Sequence, residues 1–289
     1  MASGRKPRHD TQSGQASKVQ KHAGNKAPRA PAPPGGLEAV FGVHAVRALL
    51  DRGKAPREVW VQEGSSGTRL AELAQMARQG GARLHSRPRD ELDRLAQGAS
   101  HQGIIAFATP LAFEGETSLW LRLEGWPHAA APLLLVLDGI TDVHNFGACL
   151  RSADAAGVHG VVVPKDKAAP LNAMVRKVAC GAAESIPVYQ VTNLARAMAR
   201  LKELGVWITG TAGEAEASLF EADFTGPAAL VMGAEGKGMR RLTREACDTL
   251  VKLPMAGSVS SLNVSVATGI CLFEAVRQRS LKDAASRLA

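Results

Sequence analysis

Apolar positions fall into two regimes along this chain. In residues 37–109 short amphipathic stretches alternate, with helical spacing over 43–50, 68–79 and 90–97 and β-rich runs at 58–62, near Arg83 and at 104–108. These predict a small α/β domain of about 70 residues. From Leu133 the pattern changes. LLLVLDG, residues 133–139, is the unbroken apolar run of a strand covered on both faces. Further strands are predicted at 160–163, 187–191, 206–209, 228–232 and 249–253, with helices at 146–156, 172–180, 194–204 and a closing one over 263–279. Strand, helix, strand repetition implies right-handed crossovers and a doubly wound parallel sheet.

Between these regimes, residues 110–132 bring Pro, Gly, Trp and Glu without sustained periodicity and are expected to form a linker. The expected organisation is a tail at 1–36, a small domain at 37–109, the linker at 110–132 and a larger domain at 133–289. A length of 289 residues suits two domains, and 45% hydrophobic content excludes wholesale disorder. The longest apolar run is about half of the roughly 18 residues a membrane span needs, so no span is expected, and the cysteine pattern suits a reducing, cytoplasmic setting. Cys149, Cys180, Cys247 and Cys271 lie far apart with no C-x-x-C pair, which argues against a metal site or a disulfide framework.

Charge adds less than it promises. The net charge is +8, but residues 1–36 carry seven basic residues and one acid, leaving only +2 for everything else. That tail has Val19 as its only large aliphatic beyond Met1, so it is expected to be disordered. It suits either sequence-independent attraction to RNA phosphates or a merely solubilising role. Arg47, Arg87 and Arg89 of the small domain, and the turn His101, Gln102, Gly103, admit RNA contact or an ordinary structural role.

In an open parallel sheet, ligands bind beyond the carboxyl ends of the strands, so the loops there carry the candidate chemistry. The first reads DGITDVHNFGACLRSADAAG, with Asn145 suited to cap a helix and Arg151 further inside it. Taken alone, Arg151 reads as a solvated cation paired with Asp154. The second, GAEGKGMR, matches neither the Rossmann nor the P-loop spacing, and sets Glu235 among glycines at a strand end. In the third, Ser258, Ser260, Ser261, Asn263 and Ser265 interrupt an apolar segment at the start of the closing helix. Capping by Ser260 or Ser261 would account for only one of them.

Together NFGACLR, VMGAEGKGMRRLT and PMAGSVSSLNVSVATG resemble the three motifs of the SpoU/TrmH branch of the SPOUT RNA methyltransferases. FGVHAV and HQGIIA carry a weaker resemblance through the first domain. Leu253 stands where that family often has isoleucine. The resemblance implies an N-terminal α/β RNA-binding domain and a parallel-sheet methyltransferase domain with a deep trefoil knot. It implies a homodimer that uses S-adenosyl-L-methionine and no metal. The activity implied is 2′-O-methylation of a guanosine ribose in the peptidyl-transferase region of bacterial 23S rRNA, free or in an assembling large ribosomal subunit. A sibling activity on another rRNA nucleotide or on tRNA, and a non-catalytic ribosome-assembly RNA binder, are the alternatives.

By motif position, Gly233, Leu253, Leu262, Thr211 and Gly213 would hold the cofactor. Arg151, Asn145, Glu235, Ser261 and Asn263 would form the catalytic set. A guanidinium holds its proton tightly and is an awkward base, so Arg151 is expected to stabilise the developing alkoxide or a neighbouring phosphate, with a base role open to it only if the complex first removes its proton.

Overall fold

The computed structural model describes residues 34–51, 55–65, 67–98, 100–127 and 131–288; the basic segment before residue 34 lies outside them. The small domain runs β1 (Glu38–Phe41), α1 (Val43–Asp51), β2 (Glu58–Gln62), α2 (Thr68–Gln79), β3 (Arg83–Arg87), α3 (Arg89–Ala96) and β4 (Ile104–Ala108). Its sheet order is β1-β4-β2-β3, antiparallel except for the β2–β3 pair. Both faces of β4 are buried, one in a core with α1 and α2 and the other beneath α3. That double cover explains why IIAFA is apolar at every position.

The turn before β4 is structural. Gln102 adopts φ 50° and its Oε1 accepts the Val43 N–H at 3.0 Å, capping α1. His101 is buried, with Nε2 2.9 Å from Asp93 Oδ1, and its Nδ1 accepts the Gly103 N–H. Arg47, Arg87 and Arg89 each precede an acid by four residues, Asp51, Glu91 and Asp93 respectively, and lie within ion-pair distance of it.

The larger sheet uses β5 (Glu114–Gly115), α4 (Glu116–Glu124), β6 (Leu133–Asp138), α5 (Val143–Ala155), β7 (Gly160–Pro164), α6 (Ala173–Val178), α7 (Ala182–Ser185), β8 (Val188–Val191), α8 (Leu194–Glu203), β9 (Trp207–Thr211), β10 (Ala217–Ser218), β11 (Ala228–Gly233), α9 (Arg241–Glu245), β12 (Thr249–Lys252) and α10 (Val264–Leu288). All its pairings are parallel, in the order β10-β12-β9-β11-β6-β7-β8-β5. One face is covered by α5, α6, α7 and α10, the other by α4 and α8. The segment read as a linker therefore also supplies the edge strand β5, and α4 sinks Leu119, Trp120 and Leu123 into the second core.

The chain steps outward from β6 through β7 to β8, then crosses back to β9 on the far side of β11. The order thus reverses between β6 and β11, the type of point where α/β sheets open a crevice. α5 leaves β6 at this point and is wedged between α6 and α10. Contact with α6 is at Gly147, where an added Cβ would stand 2.7 Å from Val178 Cβ and 3.0 Å from the Val175 carbonyl oxygen. Thr268 Oγ1 of α10 lies 3.5 Å from Cys149 Sγ on the opposite flank of α5. Gly147→Ala is expected to cost about 1–3 kcal/mol through overpacking, seen as a lowered midpoint in thermal unfolding. An unchanged midpoint would show that α5 can move away from α6 freely.

Candidate active site

Each of the three motif loops leaves a carboxyl end on the reversal side of the sheet. The first begins at Asp138, the last residue of β6, whose side chain has no solvent exposure. Its Oδ2 accepts the Arg240 N–H at 2.8 Å and its Oδ1 accepts Arg240 Nε at 2.6 Å. A buried carboxylate is costly unless paired and hydrogen-bonded, and here both oxygens are satisfied by one residue. The contact pins the exit of the glycine loop over the point of strand reversal. Sequence reasoning passed over this pair; the signal was an acid closing an apolar strand.

Asn145 does not cap α5. Asp142 does, its Oδ1 accepting the Asn145 N–H at 2.8 Å. Both residues are good caps, and the helix starts at the earlier one. The Asn145 amide is thereby free to reach across. Its Nδ2 approaches Glu235 Oε2 at 3.4 Å, and its Oδ1 accepts from Asn263 Nδ2 at 2.9 Å. Asn263 in turn caps α10, its Oδ1 accepting both the backbone N–H and the hydroxyl of Ser265. The capping role expected of Ser260 or Ser261 thus belongs to Asn263.

Glu235 sits in a loop closed by reciprocal backbone hydrogen bonds between Ala234 and Gly238, with positive φ at Gly236 and Gly238. At Gly233 the backbone passes itself so closely that a Cβ would lie 2.2 Å from both Gly238 C and Met239 N. No side chain fits there. This is the physical requirement behind the first glycine of the motif.

Between the loops after β9, β11 and β12 lies a cleft of about 500 Å³, a size suited to a small-molecule ligand. Thr211, Gly213, Gly233, Leu253 and Leu262 all line it, together with Glu235 and Ser261. Met232, Val251 and Ala267 add apolar surface. Thr211 donates its hydroxyl to the Val231 carbonyl, tying β9 to β11 at the cleft floor. On the rim Arg244 pairs with Glu214, whose carboxyl is held below its usual range by its own backbone N–H and by Arg244.

Arg151, Asn145 and Asn263 are not part of the cleft wall. Asn145 and Asn263 reach it through Glu235. Arg151 is exposed on α5 and forms no hydrogen bond or ion pair among the described residues, so the pair read with Asp154 does not form. Among the described residues no cluster of His, Cys, Asp and Glu could hold a metal, and no helix is long and apolar enough to cross a membrane.

Comparison with known proteins adds family evidence. The SpoU rRNA Methylase family model matches residues 132–273, and a model for RNA 2′-O ribose methyltransferase substrate binding matches residues 39–114. The 23S rRNA (guanosine-2′-O-)-methyltransferase RlmB of Pseudomonas putida is 57% identical over 247 residues, covering 85% of this chain and 98% of that protein. The Escherichia coli K12 enzyme of the same name is 57% identical over 246 residues, covering 84% and 99%. A crystal structure of an RNA 2′-O ribose methyltransferase aligns with TM-score 0.72 at 27% identity, covering 84% of this chain and 89% of that one. The SpoU methyltransferase AviRb of Streptomyces viridochromogenes, solved with AdoMet, aligns with TM-score 0.69 at 26% identity, covering 84% and 91%.

Gly233→Ala is expected to displace the glycine loop and weaken S-adenosylhomocysteine binding at least about tenfold by calorimetry, since misplacement by an ångström is costly. Affinity equal to the parent's would place the ligand elsewhere.

Proposed function

This chain belongs to the SpoU rRNA methylase family, and on that premise we propose that the cleft and the Asn145 bridge above it form the methyl-transfer site. The protein is an rRNA (guanosine-2′-O-)-methyltransferase that uses S-adenosylmethionine. The guanosine is proposed to lie in the peptidyl-transferase region of 23S rRNA, and the protein to work in the cytoplasm. The observation that carries the site assignment is the convergence of all five expected cofactor residues on one cleft.

The residues fit the cofactor. Three loops, one of them folded tightly on itself at Gly233, surround a cleft whose apolar Met232, Val251 and Ala267 suit a nucleoside and whose Thr211, Glu235 and Ser261 offer polar groups for an amino-acid tail. When bound, S-adenosylmethionine supplies a methyl group on a sulfonium, and its departing sulfur is neutral. The chain therefore has no leaving anion to stabilise. Its work is to hold the ribose oxygen in line, so that the O–C bond forms as the C–S bond breaks and the hydroxyl proton passes to surrounding water.

Glu235 and Asn145 are proposed to orient the RNA sugar beside the cleft, with Ser261 and Asn263 adding hydrogen bonds from the third loop. Arg151, a cation with no intramolecular partner among the described residues, is proposed to meet the developing alkoxide or an adjacent phosphate. Its fixed positive charge suits electrostatic stabilisation better than proton abstraction.

A homodimer is proposed as the working form. Val266, Ile270 and Phe273 recur at helical spacing on α10 and are 51%, 39% and 51% exposed. A stripe of this kind on a helix is an unpaid hydrophobic face, and a second copy pairing α10 with α10 would cover it. The knotted chain path implied by the motifs belongs to the same proposal.

Purified protein should methylate 23S rRNA lacking the modification, with the ribose located by its resistance to alkaline cleavage. Arg151→Ala should lower kcat about 10²–10³-fold at unchanged cofactor affinity, the range found for loss of one transition-state donor. Near-normal turnover would remove Arg151 from the reaction. Phe273→Asp should convert dimers to monomers in light scattering; dimers that survive it would place the interface elsewhere.

A further inference from the structure

The largest fully buried side chain among the described residues is a cation, Arg176 on α6, only 2% exposed. Its Nε donates to Glu184 Oε1 of α7 at 2.7 Å, and Nη2 lies 2.7 Å from the same oxygen. Its Nη1 donates to Glu38 Oε2 at 2.8 Å and to the Thr109 carbonyl at 3.3 Å. Glu38 is the first residue of β1, and Thr109 follows β4. One guanidinium thus grips its own domain with one edge and the small domain with the other.

Neither domain needs this charge for cohesion alone. Taking a cation and two carboxylates out of water is expensive, and apolar residues of similar volume would often serve stability as well. What a planar, multiply bonded guanidinium adds is direction, because its donors are satisfied in only one relative pose of β1, α6 and α7. α1 also meets the start of α7, where a Cβ at Gly181 would stand 2.4 Å from Ala48 Cβ.

The clamp also connects to the site. Asn172 caps α6, accepting the N–H groups of Met174 and Val175. α6 then packs into the gap left by Gly147 on α5, the helix that carries Asn145 and Arg151. A continuous chain of contacts therefore runs from Glu38 through Arg176 and α6 to α5.

We propose that Arg176 is a positioning residue: it fixes the small domain on α6 and α7, so that RNA held by the small domain reaches α5 and the cleft in one register. The effect on RNA rests on the function assigned above; the clamp itself does not. A tethered module adds affinity only when geometry lets both parts engage at once, so loosening the clamp should act on RNA and spare the cofactor.

The test uses the full-length chain with Glu38→Ala, which frees the small domain while leaving Arg176 paired with Glu184. Glu38→Gln, which still accepts from Nη1, is the conservative rescue. Distances between fluorophores on the two domains, S-adenosylhomocysteine affinity, and KM and kcat on an rRNA fragment are measured together. Glu38→Ala should broaden the interdomain distances and raise KM for RNA about tenfold, with cofactor affinity and kcat within about twofold of the parent. Glu38→Gln should recover most of both losses.

Adding Glu38→Ala to Arg176→Met should raise KM no further than Arg176→Met alone, since the two act as one contact. Unchanged distances in folded Glu38→Ala protein would overturn the clamp, and so would a parallel loss of cofactor affinity, which marks general loosening. Unchanged KM for RNA with broadened distances would overturn the positioning role. A parent protein that binds cofactor yet leaves rRNA unmethylated would refute the function assignment, while the distances would still judge the clamp.

Discussion

Everything at this site depends on a constraint of the parallel sheet: loops that must work together leave strands far apart in sequence and can meet only at one edge. The Asn145 amide is what joins them. It spans 118 residues to Asn263 and 90 to Glu235, taking a donor from one and offering its own to the other. Because Asp142 already caps the helix, this amide has no local duty. Exposed hydrogen bonds of this kind contribute about 1 kcal/mol each, too little to hold the fold. Their value is geometric, setting the glycine loop, the start of α10 and the first turn of α5 against one another. The pairing of half-exposed Arg240 with buried Asp138 fixes the other end of the same loop.

Much of the fold was legible because the sheet is buried on both faces. Strands such as β11, and β6 up to its closing Asp138, must then be apolar, and the neighbouring α8 shows clear helical spacing. What escaped were short elements. β5 and β10 have two residues each and α9 five, too few for any period to emerge. In α4 the burial of Leu119, Trp120 and Leu123 depends on an edge strand that no local pattern announces. The segment carrying both reads as linker until the sheet is assembled.

The site was legible in its residues and opaque in its wiring. The motif glycines and the polar run before α10 drew attention to loops whose expected cofactor residues the structure gathers along one cleft. Which cap starts α5 could not be read, since Asp142 and Asn145 are equally good candidates three residues apart. Arg176 shows the reverse problem. Next to Lys177 on a short helix it looks like part of a solvated face, and only the arrival of Glu38 from 138 residues away turns it into a buried ion.

These features bear on how such a reaction can be accelerated. Methyl transfer from a sulfonium leaves a neutral thioether, so little can be gained by stabilising the departing group, and most of the barrier must be met by alignment. Effective molarities for well-oriented reactants are large, worth about 7–11 kcal/mol at best, but they collapse when either reactant is loosely held. A small cofactor can be held by a cleft alone. A folded RNA cannot, because its target sugar is a minor part of a large rigid body whose orientation is set by distant contacts. The demand for precision therefore moves away from the reacting atoms to the joint between the domains. A buried guanidinium satisfied in only one pose meets that demand, whereas an apolar seam of equal stability could slide.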